Sequence, residues 1–287
     1  MNSMLKPTVV VDTDWGDDID DAIALALAAR TIDRLAVVTA DEIGDHRARG
    51  VAEQLRRHDR TDVPVIRGID LGGRSRRRSS MGLATLPRED DPEMIEALAD
   101  LAVSSSELIW IGQGPLTNVA AFARAKPEHA DKIRLTQMGF WLDKYRDKTR
   151  ASHNPRMDPW AAGEALRLLK KPRLVLSDHT ESPHIRITKE HDLVQRLQAP
   201  TAPSWARLLA DGFDEWAAYR AKAADQSSGV GSWLHDPLTV SAALNLGFVQ
   251  FADEWIRVEV DARTYRDPAG IEVEVSTDDV DHAGFMD

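Results

Sequence analysis

The sequence predicts an α/β fold, an open and mainly parallel sheet flanked by helices, with a small antiparallel strand pair near the C-terminus. Three observations predict it. Short apolar runs rich in β-branched residues alternate with segments of helical spacing along the chain. No linker rich in Pro, Gly or Ser and no internal repeat divides the 287 residues, so a single domain spanning 1–287 is expected. Polar residues gather directly after the apolar runs, at the strand ends where open sheets bind ligands.

The elements follow in order. Val9 to Arg30, VVVDTDWGDDIDDAIALALAAR, reads as a buried strand, an acid-packed turn and a helix. Leu35–Thr39 is a second strand ending near Asp41, His46–Arg57 has helical spacing, and Val63–Ile66 is a third strand. Asp70–Asp90 lacks periodicity and contains GGRSRRRSSMG; a loop of this length is functional or disordered. Pro92–Val103 is helical, Leu108–Ile111 is a strand, and GPLTN at Gly114–Asn118 turns into a helix through Arg124. Ile133–Met138 is the next strand, followed by a second long loop, Gly139–Pro159, and the helix Trp160–Lys170. Leu174–Leu176 is a strand, and Glu190–Leu197 and Ala206–Lys222 are helical. The loop Ala223–Leu234 leads into His235-Asp236-Pro237 and another helix. Trp255–Val260 and Ile271–Val275 alternate in and out, as an antiparallel pair does.

Between Asp12 and Asp21 stand six aspartates in ten residues. Two acids in a first helical turn are favourable to the helix dipole. Six at one strand end repel one another, and some must take up protons unless a cation sits among them. Hard carboxylate oxygens suit Ca²⁺ or Mg²⁺. The plainer reading is an acidic, solvated turn.

Other features bound the function. No run of eighteen apolar residues offers a membrane span, and the N-terminus lacks the apolar stretch of a signal peptide. Cysteine is absent, which removes thiolate chemistry and fits a cytoplasmic protein. A net charge of −11 argues against a nucleic-acid partner.

Four separated motifs carry a resemblance: VVVDTDWGDDIDDA near the start, GPLTN, the N-x-x-x-D-P element at Asn154–Pro159, and HDPL at His235–Leu238. In this order and spacing they resemble the inosine–uridine-preferring nucleoside hydrolase family over nearly the whole chain. The resemblance implies one bound Ca²⁺, hydrolysis of the N-glycosidic bond of a small-molecule ribonucleoside, a role in purine or pyrimidine salvage, and a homo-oligomer, dimer or tetramer. Residue by residue, it implies that Asp14 binds the metal and takes a proton from the attacking water. Asp21, Asp236 and the Thr117 carbonyl are the implied further ligands. Asp20 and Asn154 match binders of ribose hydroxyls, Asp12 a supporting acid, and His235 a histidine near the leaving base. The chemistry is coherent, because N-glycoside cleavage passes through an oxocarbenium-like state. A carboxylate beside a metal serves as general base, and a histidine titrates in the range where it can protonate a poor leaving group.

The chain departs from the family pattern in places. Asp17 and Asp18 are extra residues in the acidic turn, and Trp15 replaces a common proline. Asp41 stands where an asparagine usually faces the site. Ser152 replaces a ribose-binding glutamate, and Arg146 replaces an asparagine six residues earlier; the two replaced residues hold the 5′-hydroxyl in the family. Lys144, Arg146, Lys148 and Arg150 make this loop basic, as Arg74, Arg76, Arg77 and Arg78 make the other long loop. Removing a carboxylate and adding guanidinium groups suits an anionic 5′ group such as a phosphate. The plainer reading is two solvated loops. Phe140, Trp141, Trp216, Tyr219 and Trp233 are candidates to stack on the base or to pack a lid.

The leading expectation is thus a Ca²⁺-dependent hydrolase of a ribonucleoside or 5′-modified ribonucleoside. A nucleoside 5′-monophosphate N-ribosyl hydrolase is the nearest alternative. Asp12-Thr13-Asp14 after an apolar strand also resembles the nucleophile loop of haloacid dehalogenase-type phosphatases, although HDPL fits that family poorly. A non-catalytic ribose-binding protein is the third reading, permitted by Ser152 and Arg146.

Overall fold

Strand β1, Thr8–Thr13, is buried at every residue. It lies inside the sheet between β4 and β2, where helices cover both faces, and this explains its unbroken apolar run before Asp12. This computed structural model describes residues 5–72, 93–222 and 230–287. The basic run Arg74, Arg76, Arg77 and Arg78 lies outside the described residues.

After β1 come α1 (Asp20–Thr31), β2 (Leu35–Thr39), α2 (His46–Arg57), β3 (Val65–Ile66), α3 (Met94–Val103), β4 (Leu108–Gly112), α4 (Thr117–Ala125) and β5 (Ile133–Met138). Next are α5 (His153–Met157), α6 (Pro159–Leu168), β6 (Arg173–Val175), α7 (Ser177–Thr180), β7 (Arg186–Ile187), α8 (Asp192–Leu197) and α9 (Ser204–Lys222). The chain closes with β8 (Ser232–Trp233), α10 (His235–Ala243), β9 (Phe251–Val258), β10 (Thr264–Arg266), β11 (Ile271–Ser276) and α11 (His282–Met286).

Nine strands form one sheet in the order β10-β9-β11-β6-β5-β4-β1-β2-β3. The pairs from β3 to β6 are parallel, β6 pairs in parallel with β11, and β9 runs antiparallel to both β11 and β10. The expected antiparallel pair is therefore a three-stranded edge. Its extra member is three residues long, too short for alternation to mark it. The sheet reverses its strand order between β1 and β4, which pair with Asp12 opposite Gly112. Such a switch point opens a crevice beyond the strand C-termini.

Several small elements were not expected, α11 at the C-terminus among them. Helix α5 lies inside the second long loop, α7 follows β6, and β7 pairs with β8 as a separate two-residue ladder. None is long enough to show a period. The expected strand Val63–Ile66 shortens to Val65–Ile66.

One apolar cluster, including Leu25, Leu209 and Leu238, joins α1, α9 and α10; the other, including Leu98, Phe122 and Leu166, joins α3, α4 and α6. Helix α1 is Ala-rich and buried along most of its length, and it packs on α10. Small side chains let these two helices approach closely, which brings their acidic N-termini together. Trp15 is fully buried, donates from Nε1 to Gln54 Oε1 at 2.7 Å, and covers Gly50. A Cβ on Gly50 would overlap the Trp15 ring. Gly50→Ala is therefore expected to destabilise the protein by about 1–3 kcal/mol, net of any gain in helix propensity. Denaturant unfolding checks this, and an unchanged midpoint would show that the indole relocates freely.

Candidate active site

The acidic turn after β1 folds back against the start of α1. Thr13 Oγ1 donates to Asp21 Oδ1 at 2.5 Å, and the Asp236 backbone N–H at the start of α10 donates to Asp20 Oδ2 at 3.3 Å. Asp20, Asp21 and Asp236 are buried, with one ligand atom from each lying within 4.8 Å of the others. At that separation each ionised pair would repel by about 3–4 kcal/mol at an effective dielectric near 20. Burial, then neighbouring carboxylates, pushes all three groups well above the ordinary aspartate value; the Asp20–Asp236 and Thr13 hydrogen bonds oppose this. Three hard oxygen donors crowded beside a cavity fit a divalent cation.

The cavity beside this trio measures about 280 Å³. Asp14, Asp20, Asp21, Asp236, Asn154, Ser152, His235 and Arg146 line it, so eight of the eleven site residues expected from sequence meet at one edge of the sheet. The mutually close trio contains Asp20, which the sequence reading assigned to ribose, and does not contain Asp14. Asp14 stands beside it, 8 % exposed, and its charge acts on Asp12, Asp20, Asp21 and Asp236.

Asp12, Thr117 and Asp41 are not among the lining residues. Asp12 lies in the sheet behind the turn, accepting from Asn118 Nδ2 at 2.8 Å and Trp110 Nε1 at 3.2 Å. Burial still pushes its carboxyl up to about 8. Thr117 Oγ1 donates to Asp158 Oδ2 at 2.8 Å and so fastens GPLTN to the N-x-x-x-D-P element. Asp41 pairs with Arg47 at 3.8 Å and accepts from the Leu71 backbone N–H at 3.3 Å. The buried Arg47 guanidinium needs a counter-charge, and Asp41 supplies it.

Several site residues had no sequence assignment. Arg47 is 2 % exposed and donates to the carbonyls of Asp14, Trp15 (2.8 Å) and Asp41 (2.9 Å), which fixes the acidic turn from below. Asn118 reaches Asp12, the Thr39 carbonyl at 2.9 Å and the Ile69 N–H at 3.0 Å, tying α4 to the ends of β1 and β2 and to the segment after β3. GPLTN contained it, but the motif alone does not say what the side chain holds. The extra acids Asp17 and Asp18 both line the cavity. Asp18 accepts from Ser232 Oγ at 2.7 Å, and burial pushes it up to about 7.

At the start of the second long loop, Gly139 and Phe140 both have positive φ, 122° and 67°, and make a sharp turn after β5. Ser152 Oγ accepts from the Phe140 N–H at 2.6 Å, so Ser152 closes this turn and lines the cavity at once. Asn154 Nδ2 donates to the Gln113 carbonyl at 2.6 Å, which orients its side chain beside the trio. Of the candidate aromatics, Trp141, Trp216 and Trp233 line the cavity; Phe140 is core, and Tyr219 stacks on Trp216 at 5.6 Å. Trp233 stacks on His235 with centroids 6.3 Å apart. Burial and the nearby Arg146 charge lower the His235 ring to about 4, against a hydrogen bond with the Thr180 backbone.

Fold and cavity together define an open-sheet α/β enzyme whose buried carboxylates suit a divalent cation. The chain belongs to the inosine–uridine preferring nucleoside hydrolase family, whose model matches residues 9–287. It is similar to the pyrimidine-specific ribonucleoside hydrolase RihA of Shigella boydii, 26 % identical over 97 % of this chain and 96 % of that one. Among solved structures it resembles a plant nucleoside hydrolase, PpNRh1 (TM-score 0.77, 22 % identity, covering 98 % of this chain and 96 % of that one). It also resembles a purine-preferring ribonucleoside hydrolase from Gardnerella vaginalis (TM-score 0.73, 21 % identity, 98 % and 96 %). The chain is accordingly an N-glycosyl hydrolase that acts on ribonucleosides. This family assignment overturns the phosphatase reading of Asp12-Thr13-Asp14. Among the described residues no helix is long and apolar enough to cross a membrane.

Proposed function

We propose that the enzyme uses Ca²⁺ to hydrolyse the N-glycosidic bond of a ribonucleoside or a 5′-modified ribonucleoside. The single observation that carries this reading is the buried trio Asp20, Asp21 and Asp236 beside a cavity at the strand switch point. These three carboxylates, with Asp14 beside them, would hold the ion. When bound, it supplies Lewis acidity and a hard anchor for sugar hydroxyls. Asp14 takes the proton of the attacking water. The water oxygen bonds to C1′, the C1′–N bond breaks, and its electron pair leaves with the base. Asn154, held by the Gln113 carbonyl, orients a ribose hydroxyl.

His235 is neutral at neutral pH, because its ring titrates at about 4. Negative charge growing on the departing base raises the proton affinity of a neighbouring imidazole. His235 is thus placed to take up a proton from solvent as that charge grows and to pass it to the base nitrogen, returning to the neutral ring, rather than to hold a proton beforehand as a histidine titrating near neutrality would. His235→Ala is expected to slow hydrolysis of natural nucleosides by about 10²-fold or more, and of nitrophenyl ribosides far less. Equal losses on both would remove His235 from leaving-group protonation.

The test of the whole reading is a hydrolysis screen of nucleosides and nucleotides with Ca²⁺ and with chelator, measured as reducing sugar. Release that depends on Ca²⁺ is expected. Release unaffected by chelator would sink the Ca²⁺ assignment, and sugar binding without release would return the chain to a ribose-binding protein.

A further inference from the structure

The cavity is lined by acids around the trio and by arginines along the second long loop. Arg146 and Arg150 from that loop and Arg156 from α5 all line it. Arg146 pairs with Glu181 at 3.3 Å, and Arg150 with Asp147 at 3.0 Å. Arg156 makes no ion pair among the described residues. Two carboxylates therefore serve three guanidinium groups, in a chain whose net charge is −11. The crowding has an energetic sign: burial and the charges of Arg150 and Arg146 disfavour the Arg156 cation. Three cations converging on one cavity with an incomplete set of partners are stabilised by an anion arriving there.

Ser152 and Asn154 lie between these arginines in sequence and line the same cavity, and Asn154 reaches the Gln113 carbonyl after β4. A ribose placed over the trio by its 2′- and 3′-hydroxyls would project its remaining substituents away from the carboxylates. The aromatic rings of Trp216 and Trp233, with His235, offer one destination suited to a base. The arginines of the second long loop and α5 offer the other, with Arg146 near enough to His235 for its charge to act on that ring.

We propose that Arg146, Arg150 and Arg156 form an anion subsite for a 5′-phosphate, so that the substrate class is ribonucleoside 5′-monophosphates. This rests on the ribonucleoside hydrolysis described above and adds the 5′ chemistry. A phosphate monoester carries about −1.5 to −2 charge at neutral pH and matches guanidinium donors in paired geometry. An anionic base would supply the same charge from the other end of the substrate, and the experiment separates the two.

The rates to compare are kcat/KM for a nucleoside, its 5′-monophosphate, and orotidine, whose base bears a carboxylate, each with Ca²⁺ and at low and high NaCl. The 5′-monophosphate is expected to exceed its nucleoside by at least about 10-fold, with a ratio that shrinks as salt screens the charges. In Arg156→Ala and in Arg150→Ala the nucleotide-to-nucleoside ratio falls toward one. As a binding readout free of turnover, ribose 5-phosphate is expected to raise the melting temperature more than ribose or inorganic phosphate does. A ratio of one or below in the unmodified protein overturns the subsite while leaving nucleoside hydrolysis intact. A gain for orotidine without a gain for the 5′-monophosphate overturns the 5′ placement. If no compound is hydrolysed, the parent reading fails, and the ribose 5-phosphate melting shift still decides the subsite.

Discussion

Asp14→Asn is expected to lower kcat/KM for the preferred ribonucleoside by about 10²–10⁴-fold, the usual cost of losing a positioned general base. The structure makes the substitution clean. Asp14 lines the cavity just beyond the end of β1, and the mutually close trio is complete without it. Its backbone carbonyl accepts from Arg47, a contact that the side-chain change leaves in place. The variant should therefore fold and keep most of its response to Ca²⁺, read by circular dichroism and by the metal-dependent shift in melting temperature. Near-normal turnover would move the base elsewhere. Asp41 is a poor successor because it faces Arg47 and Leu71. Asp17 and Asp18 line the cavity and would be the next to substitute.

The alternation of apolar runs and helical spacing was enough to read the parallel sheet, because long buried strands such as β1 leave a signal that turns do not interrupt. The acidic turn was legible for a related reason. Six aspartates in ten residues exceed what a helix start can use, because their mutual repulsion demands a cation or protons, so their chemistry shows through the sequence. What stayed hidden depends on contacts between distant segments. Arg47 looks like any arginine at a helix start, yet it is the buried counter-cation that determines where Asp41 points. Arg156 sits within the N-x-x-x-D-P element and drew no notice beside its neighbours; only the folded loop brings it to the same cavity as Arg146 and Arg150. The resemblance implies four ligands, Asp14, Asp21, Asp236 and the Thr117 carbonyl, whereas the mutually close trio is Asp20, Asp21 and Asp236; the packing of α1 on α10, which sequence spacing cannot give, brings Asp20 beside Asp236.

Ca²⁺ is expected to raise the melting temperature, and to raise it more at pH 8 than at pH 5. In the metal-free protein Asp20, Asp21 and Asp236 are held well above the ordinary carboxylate value of 3.8 by burial and mutual repulsion. Between the unfolded and folded values the native state binds more protons than the unfolded chain, so this cluster's contribution to stability falls as pH rises. A bound cation requires the deprotonated carboxylates and cancels their repulsion, so its benefit grows over the same window. At a concentration 100 times Kd the stabilisation is about 2.7 kcal/mol, or roughly 5–10 °C for a chain of this size. Asp21→Asn should remove most of that shift, because it deletes one of the three buried charges. The amide retains an oxygen for the Thr13 hydroxyl, which donates to Asp21 at 2.5 Å, so the fold is spared. The metal-free variant should also be at least as stable as the parent at pH 8, since one repulsive charge is gone. No Ca²⁺-induced shift at pH 8, or a larger one at pH 5, would refute the carboxylate trio as the ion's site. A destabilised metal-free Asp21→Asn at pH 8 would show that the Thr13 bond to the charged form outweighs the repulsion it was set against.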